Sequence, residues 1–180
     1  MQLFSLAGPA LQHAQLDVSS NQLAVLPALP KSLRTLNASH NKLTEIPAHV
    51  ASVANVDLSA NLVAVVSFDG FGEAAQIVTL NLDSNQVEAL CSDWSKLGKL
   101  KDLTLRHNKL LPSKMVAPSL FRDTCLTLLR VEGNPGKWTQ AKLQSLPEFA
   151  VFEARRLKRA NKAIHGGVSV DKTLCGITAK

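Results

Sequence analysis

The chain has 180 residues, 46% of them apolar and 4% aromatic, with a formal net charge of +6. This predicts a single domain with ample core material, and no apolar run approaches a membrane span. Cys91, Cys125 and Cys175 are scattered and odd in number, which predicts a reducing, intracellular compartment and not a disulfide framework. The charge is unevenly spread. Residues 1–90 hold three basic and seven acidic side chains, a balance of −4, whereas residues 91–180 hold seventeen and seven, a balance of +10. A basic C-terminal end favours a partner with an acidic surface there.

The start, Met1 to Leu6, has no basic segment or long apolar run, so no secretory leader is expected. Gln2 stands where N-myristoylation needs glycine. Residues 1–12 contribute Leu3, Phe4, Leu6 and Leu11, which are expected to cap the open end of a repeat stack that begins at residue 13.

From residue 13 to residue 136 one phrase recurs: L-x-x-L-x-L-x-x-N-x-L. Its six copies start at His13, Leu33, Val53, Ile77, Leu100 and Leu126. The ninth slot is always asparagine: Asn21, Asn41, Asn61, Asn85, Asn108 and Asn134. Slots four and six hold apolar pairs, from Leu16/Val18 to Leu129/Val131, in the period-two alternation of a short strand buried on one face. Stacked copies make a parallel sheet, with slots three, five, seven and eight on the exposed, concave side. An inward asparagine can donate and accept, so the column is expected to tie the turns of successive repeats together.

The first two steps are 20 residues long and contain Pro27, Pro30 and Pro47, which predicts extended or single-turn connectors. Later steps of 24, 23 and 26 residues leave room for short helices or 3₁₀ turns at 72–76, 92–98 and 113–124, with Ser92 as a helix start and Gly98 as a stop. Beyond Asn134, residues 137–165 read as a helical cap. Thr139 caps a short helix ended by Pro147, and a second, basic helix runs from Glu148 to Ile164. Ala150, Ala154, Leu157 and Ile164 are its expected buried stripe, and Phe149 and Phe152 also look cap-facing. Residues 166–180 have no periodicity and read as a flexible tail.

No catalytic or metal motif is present, so neither an enzyme, a cofactor nor a small-molecule substrate is expected. Asp17 and Asp57 lie two strands apart, about 10 Å, but nothing builds a pocket around them. His40 and His107, three strands apart, cannot share a metal. The concave columns change along the chain from small and polar to larger and charged. The expected protein-binding residues on that face are Asp57, Asn81, Asp83, Asp102, Arg106, His107, Arg130 and Glu132, with Arg106, His107 and Arg130 as anchors. Trp94 could add to them from the convex side, although packing against its own connector is the simpler expectation. Arg155, Arg156, Lys158, Arg159 and Lys162 form a basic cluster that is either a solvated helix face or a dock for an acidic surface.

The six phrases resemble those of leucine-rich-repeat proteins, which implies an α/β solenoid with a concave parallel sheet of about six strands. The stretch Ile77 to Val87, the stretch Leu128 to Asn134 and the basic C-terminal helix together resemble the end of small intracellular members of that family. The resemblance implies a non-enzymatic binding module in the cytoplasm. This chain departs in having fewer repeats and no glycine after Met1, so membrane anchoring is not carried over. The first expectation is therefore a protein-interaction scaffold. The second is a structural subunit of a cytoskeletal, axonemal or ciliary assembly. RNA binding by the basic helix is a third, disfavoured because only Phe149 and Phe152 could stack on bases.

Overall fold

The computed structural model describes residues 14–71, 75–115, 117–166 and 173–177. Each copy of the phrase supplies one strand: β1 (Ala14–Asp17), β2 (Leu33–Asn37), β3 (Asn55–Asp57), β4 (Thr79–Asn81), β5 (Asp102–Thr104) and β6 (Leu128–Arg130). The six are parallel, pair in sequence order and keep one register, so that Thr35, Asn55, Thr79, Asp102 and Leu128 share a column. The ladder continues past the strand ends. The slot-six N–H of Val18, Ala38, Leu58, Leu82 and Leu105 each donates to the slot-five carbonyl of the next repeat at 2.8–2.9 Å. Period-two alternation buries slots four and six, from Leu36 and Ala38 to Leu129 and Val131, at 2% exposure or less. In the first repeat Leu16 and Val18 are only half-buried.

The asparagine column forms the expected ladder. Asn61 Nδ2 donates to the carbonyls of Ala38, Leu58 and Ser59, and its Oδ1 accepts from the Leu43 N–H at 3.0 Å. Asn41, Asn85, Asn108 and Asn134 repeat this, each tying its own turn to slots six and eleven of the repeat before. These turns are buried, so without the side-chain amides their backbone groups would be unpaired.

Slot eight carries a second regularity that the sequence does not announce. Ser20, His40, Ala60, Ser84 and His107 all have φ of 52–55°, and Gly133 has 77°. The left-handed conformation turns the chain from strand to descending loop. It lets the slot-eight N–H donate to the slot-seven carbonyl of the next repeat, as Ala60 does to Asp83 at 2.8 Å. Alanine is poorly suited to this backbone. Ala60→Gly is expected to stabilise the fold by about 0.5–1 kcal/mol, the strain relieved less the added chain entropy. A thermal midpoint that stays level or falls would contradict that.

The connectors are as short as their step lengths require. The first has no helix, and the second has one 3₁₀ segment, Ala48–Ser52. The fourth has Ser95–Leu97, ended at Gly98, and the fifth has Pro112–Lys114 followed by α1 (Pro118–Arg122). Residues 72–74 of the third lie outside the described residues. Ser92 is not the helix start. Trp94 holds that place, because the buried Ser119 hydroxyl accepts from the Trp94 N–H and donates to the Ser92 carbonyl, stitching two connectors together. Trp94 is fully buried against Phe68, ring centroids 4.9 Å apart, so it offers no binding surface.

After β6 come α2 (Gln140–Gln144), capped by the Thr139 side chain as expected, and α3 (Phe149–His165). The expected buried stripe of α3 does not face the body. Leu157 and Ile164 are 48% and 61% exposed, and Ala150 and Ala154 are also exposed. Phe149 and Phe152, also expected to face the cap, are the residues buried there, packed on Phe121 at 5.3 and 5.7 Å. Two phenyl rings remove more apolar area from water than the alanine-rich stripe can, and they set the helix rotation. The reading of residues 166–180 as a flexible tail fails at Thr173–Ile177. The Cys175 carbonyl accepts from the Val131 N–H at 3.1 Å, taking the place that slot five of a seventh repeat would occupy. Leu174 and Cys175 are buried, and burial pushes the Cys175 thiol up to about 12. The expected N-terminal cap, residues 1–12, lies outside the described residues.

Candidate protein-interaction face

Slots three, five, seven and eight lie on the face of the sheet turned away from the core. Slot five is largely consumed by local structure. Asp17, Asn37, Asp57 and Asn81 each accept from the slot-seven N–H two residues on, at 2.8–3.1 Å. These Asx turns fix the strand end, which explains the recurring Asp/Asn in that column. Asn37 also donates to Asp17, and Thr104 donates to Asn81 at 2.7 Å. Asp57 and Asn81 therefore lie on the open face but hold their own turns.

Toward β6 the face becomes a chain of alternating charges. Asp83, buried at 7% exposure, accepts from the Arg106 backbone at 2.8 Å and from the guanidinium Nε at 2.7 Å. That hydrogen bond raises the Arg106 pKa above the ordinary guanidinium value. Arg106 Nε also lies 4.0 Å from Glu132, which is 3.6 Å from Arg130 Nη1. The run Asp83–Arg106–Glu132–Arg130 is thus internally neutralised, yet the Arg106 side chain stays 46% exposed. His107 is exposed beside it, its ring lying over Gly133. A Cβ at 133 would come within 2.3 Å of His107 Nδ1, so glycine in this one slot is what lets the ring approach the backbone so closely. Asp102 is engaged elsewhere: Arg159 of α3 reaches across to it and to the Thr127 hydroxyl.

The five basic residues of α3 divide by helix rotation. Arg155 donates to the carbonyls of Phe121 and Thr124, and desolvation lowers its pKa. Arg156 is half-buried near Cys175, its Nε without a hydrogen-bond partner among the described residues. Arg159 bonds Asp102. Only Lys158 and Lys162 point fully outward. Long-range pairs such as Arg159–Asp102 were invisible in the sequence, because no local spacing joins residues 57 apart.

Among the described residues no group of three or more His, Cys, Asp or Glu could hold a metal ion. Cys91, Cys125 and Cys175 are free thiols. No helix among the described residues is long and apolar enough to cross a membrane. A family model described as Leucine Rich Repeat matches residues 32–53, which is the second copy of the phrase with Leu33, Leu36 and Asn41. No curated protein matches the chain.

Proposed function

We propose that the chain is a leucine-rich-repeat solenoid with a C-terminal helical cap, acting as a non-enzymatic scaffold that binds a protein through the open sheet face. One observation carries this reading. Slots four, six, nine and eleven meet the packing and hydrogen-bond demands of the repeat, and Arg106 and His107 are left exposed on the sheet face among the described residues. Arginine presented on a rigid platform is a favoured anchor of protein interfaces. Arg130, Asp83 and Glu132 hold that anchor in place, and Asp57, Asn81 and Asp102 shape the surface around it. The basic end of the chain, through Lys158 and Lys162, favours an acidic patch on the partner.

The test is co-purification with Arg106→Gln/Arg130→Gln. Glutamine is used because glutamate at 106 would set a second carboxylate against the buried Asp83. Loss of the retained partner is expected, and undiminished recovery would sink the site.

A structural subunit of a cytoskeletal or ciliary assembly is the second reading. It is favoured by the uncovered face of α3, which joins apolar residues to Lys158 and Lys162. RNA binding is not retained: Phe149 and Phe152 are 1% and 0% exposed, so α3 offers no ring for base stacking.

A further inference from the structure

Along one side of the first four repeats three depressions join end to end. The first, about 390 Å³, surrounds Val25 and shares Glu45 with the second, also about 390 Å³. The second shares Val65 and Asp69 with the third, about 590 Å³. The groove is apolar where it is most open, at Val25, 76% exposed, and Val65, 68% exposed. Its charged lining is mainly acidic: Glu45, Asp69, Glu88 and Asp93. None of these four makes an ion pair with a described residue, and Lys96 is drawn to the Phe68 carbonyl at 3.3 Å.

The outer face of α3 is its complement. Ala150, Leu157 and Ile164 fall two turns apart on one meridian, and Lys158 and Lys162 flank them. From Ala150 to Ile164 the stripe runs about 21 Å at 1.5 Å per residue, long enough to span the groove. The groove crosses three strand spacings, about 14 Å. Phe149, Phe152 and Arg155 pin α3 to the far end of its own sheet, so it cannot reach its own groove.

We propose that α3 of one copy seats in the groove of a second copy, so that the protein assembles head to tail. Charge complementarity selects this occupant. Every copy carries an acidic apolar groove built mostly from its −4 half, with Asp93 and Lys96 added from just beyond it, and a basic apolar helix in its +10 half. The two faces differ, so the contact is heterologous and leaves a free face of each kind, extending the assembly or closing it into a ring. The proposal rests on the reading of α3 as a dock for acidic proteins and names that partner as this chain.

Sedimentation velocity of the full chain tests it. The wild type is expected to sediment above monomer mass at low salt, in a concentration-dependent way, with association roughly tenfold weaker at high salt. Lys158→Glu/Lys162→Glu and Glu45→Lys/Glu88→Lys, all at exposed positions, should each be monomeric, and mixing the two should restore association by pairing each reversed face with its complement. Lys137→Glu/Lys142→Glu, off both faces, should associate like the wild type. A monomeric wild type, a face variant that still associates, an inert mixture or a control that dissociates would each overturn the proposal. Binding of a fluorescent poly-glutamate peptide separates it from the reading beneath it. A monomeric chain that binds the peptide through Lys158 and Lys162 overturns self-assembly alone, whereas one that neither assembles nor binds overturns both.

Discussion

Asn61→Ala is expected to destabilise the protein by about 3 kcal/mol, at the upper end of the range for leaving buried polar groups unpaired. The side chain donates to three carbonyls and accepts one N–H, with the residue only 5% exposed. Alanine removes all four bonds. The Leu43 N–H bears the sharpest loss, since the amide oxygen is its acceptor and Leu43 is buried. For a chain of this size the thermal midpoint should fall by roughly 10 °C. An unchanged midpoint would mean that the column is not what ties the repeats together. Asn61 is also central, so its loss separates repeats on both sides, whereas Asn21, exposed at the first repeat, bonds only its own turn among the described residues.

Phe152→Ala is expected to cost about 3–5 kcal/mol, the usual range for truncating a fully buried phenyl ring. The ring contacts Phe121 and Phe149 with centroids 5.7 and 5.2 Å away. It holds α3 over α1, so the damage should be local. In a chain of stacked repeats each unit answers mainly to its neighbours. Hydrogen exchange should therefore accelerate along Phe149–His165 while the amides of β2 to β4 stay protected. Uniform loss of protection would show that the helix is part of one cooperative core, and no loss would show that it is not held by its rings.

The parts of the fold legible in the sequence are those that repetition enforces. Slots four, six and nine recur because each repeat must bury the same face and tie the same turn, so their roles could be read from spacing alone. The rotation of α3 was legible only in part: Phe149 and Phe152 read as facing the cap, but so did the stripe of Ala150, Leu157 and Ile164. Phe149 and Phe152 define one apolar face and Ala150, Leu157 and Ile164 another about 100° away, and helical spacing fits either. Buried ring area decides between them. The candidate site was legible as a column but not as a circuit. Arg106 stood out by type and slot, whereas its pairing with Asp83 depends on neighbouring strands being in register. Arg155, Arg156 and Arg159 looked like one cluster with Lys158 and Lys162, and only the packed helix shows that their contacts lie inward. The Thr173–Ile177 clip carried no signal, since five residues completing a sheet edge have no period to read.

The measurement that bears most directly on the central claim compares partner recovery by the wild type, by Arg106→Gln/Arg130→Gln and by Lys114→Gln. Lys114 is exposed on the connector Pro112–Lys114, away from the sheet face. With the three chains matched for thermal midpoint, the double variant should lose the partner and Lys114→Gln should retain it. Equal recovery by all three would contradict the assignment of binding to the open face of the sheet.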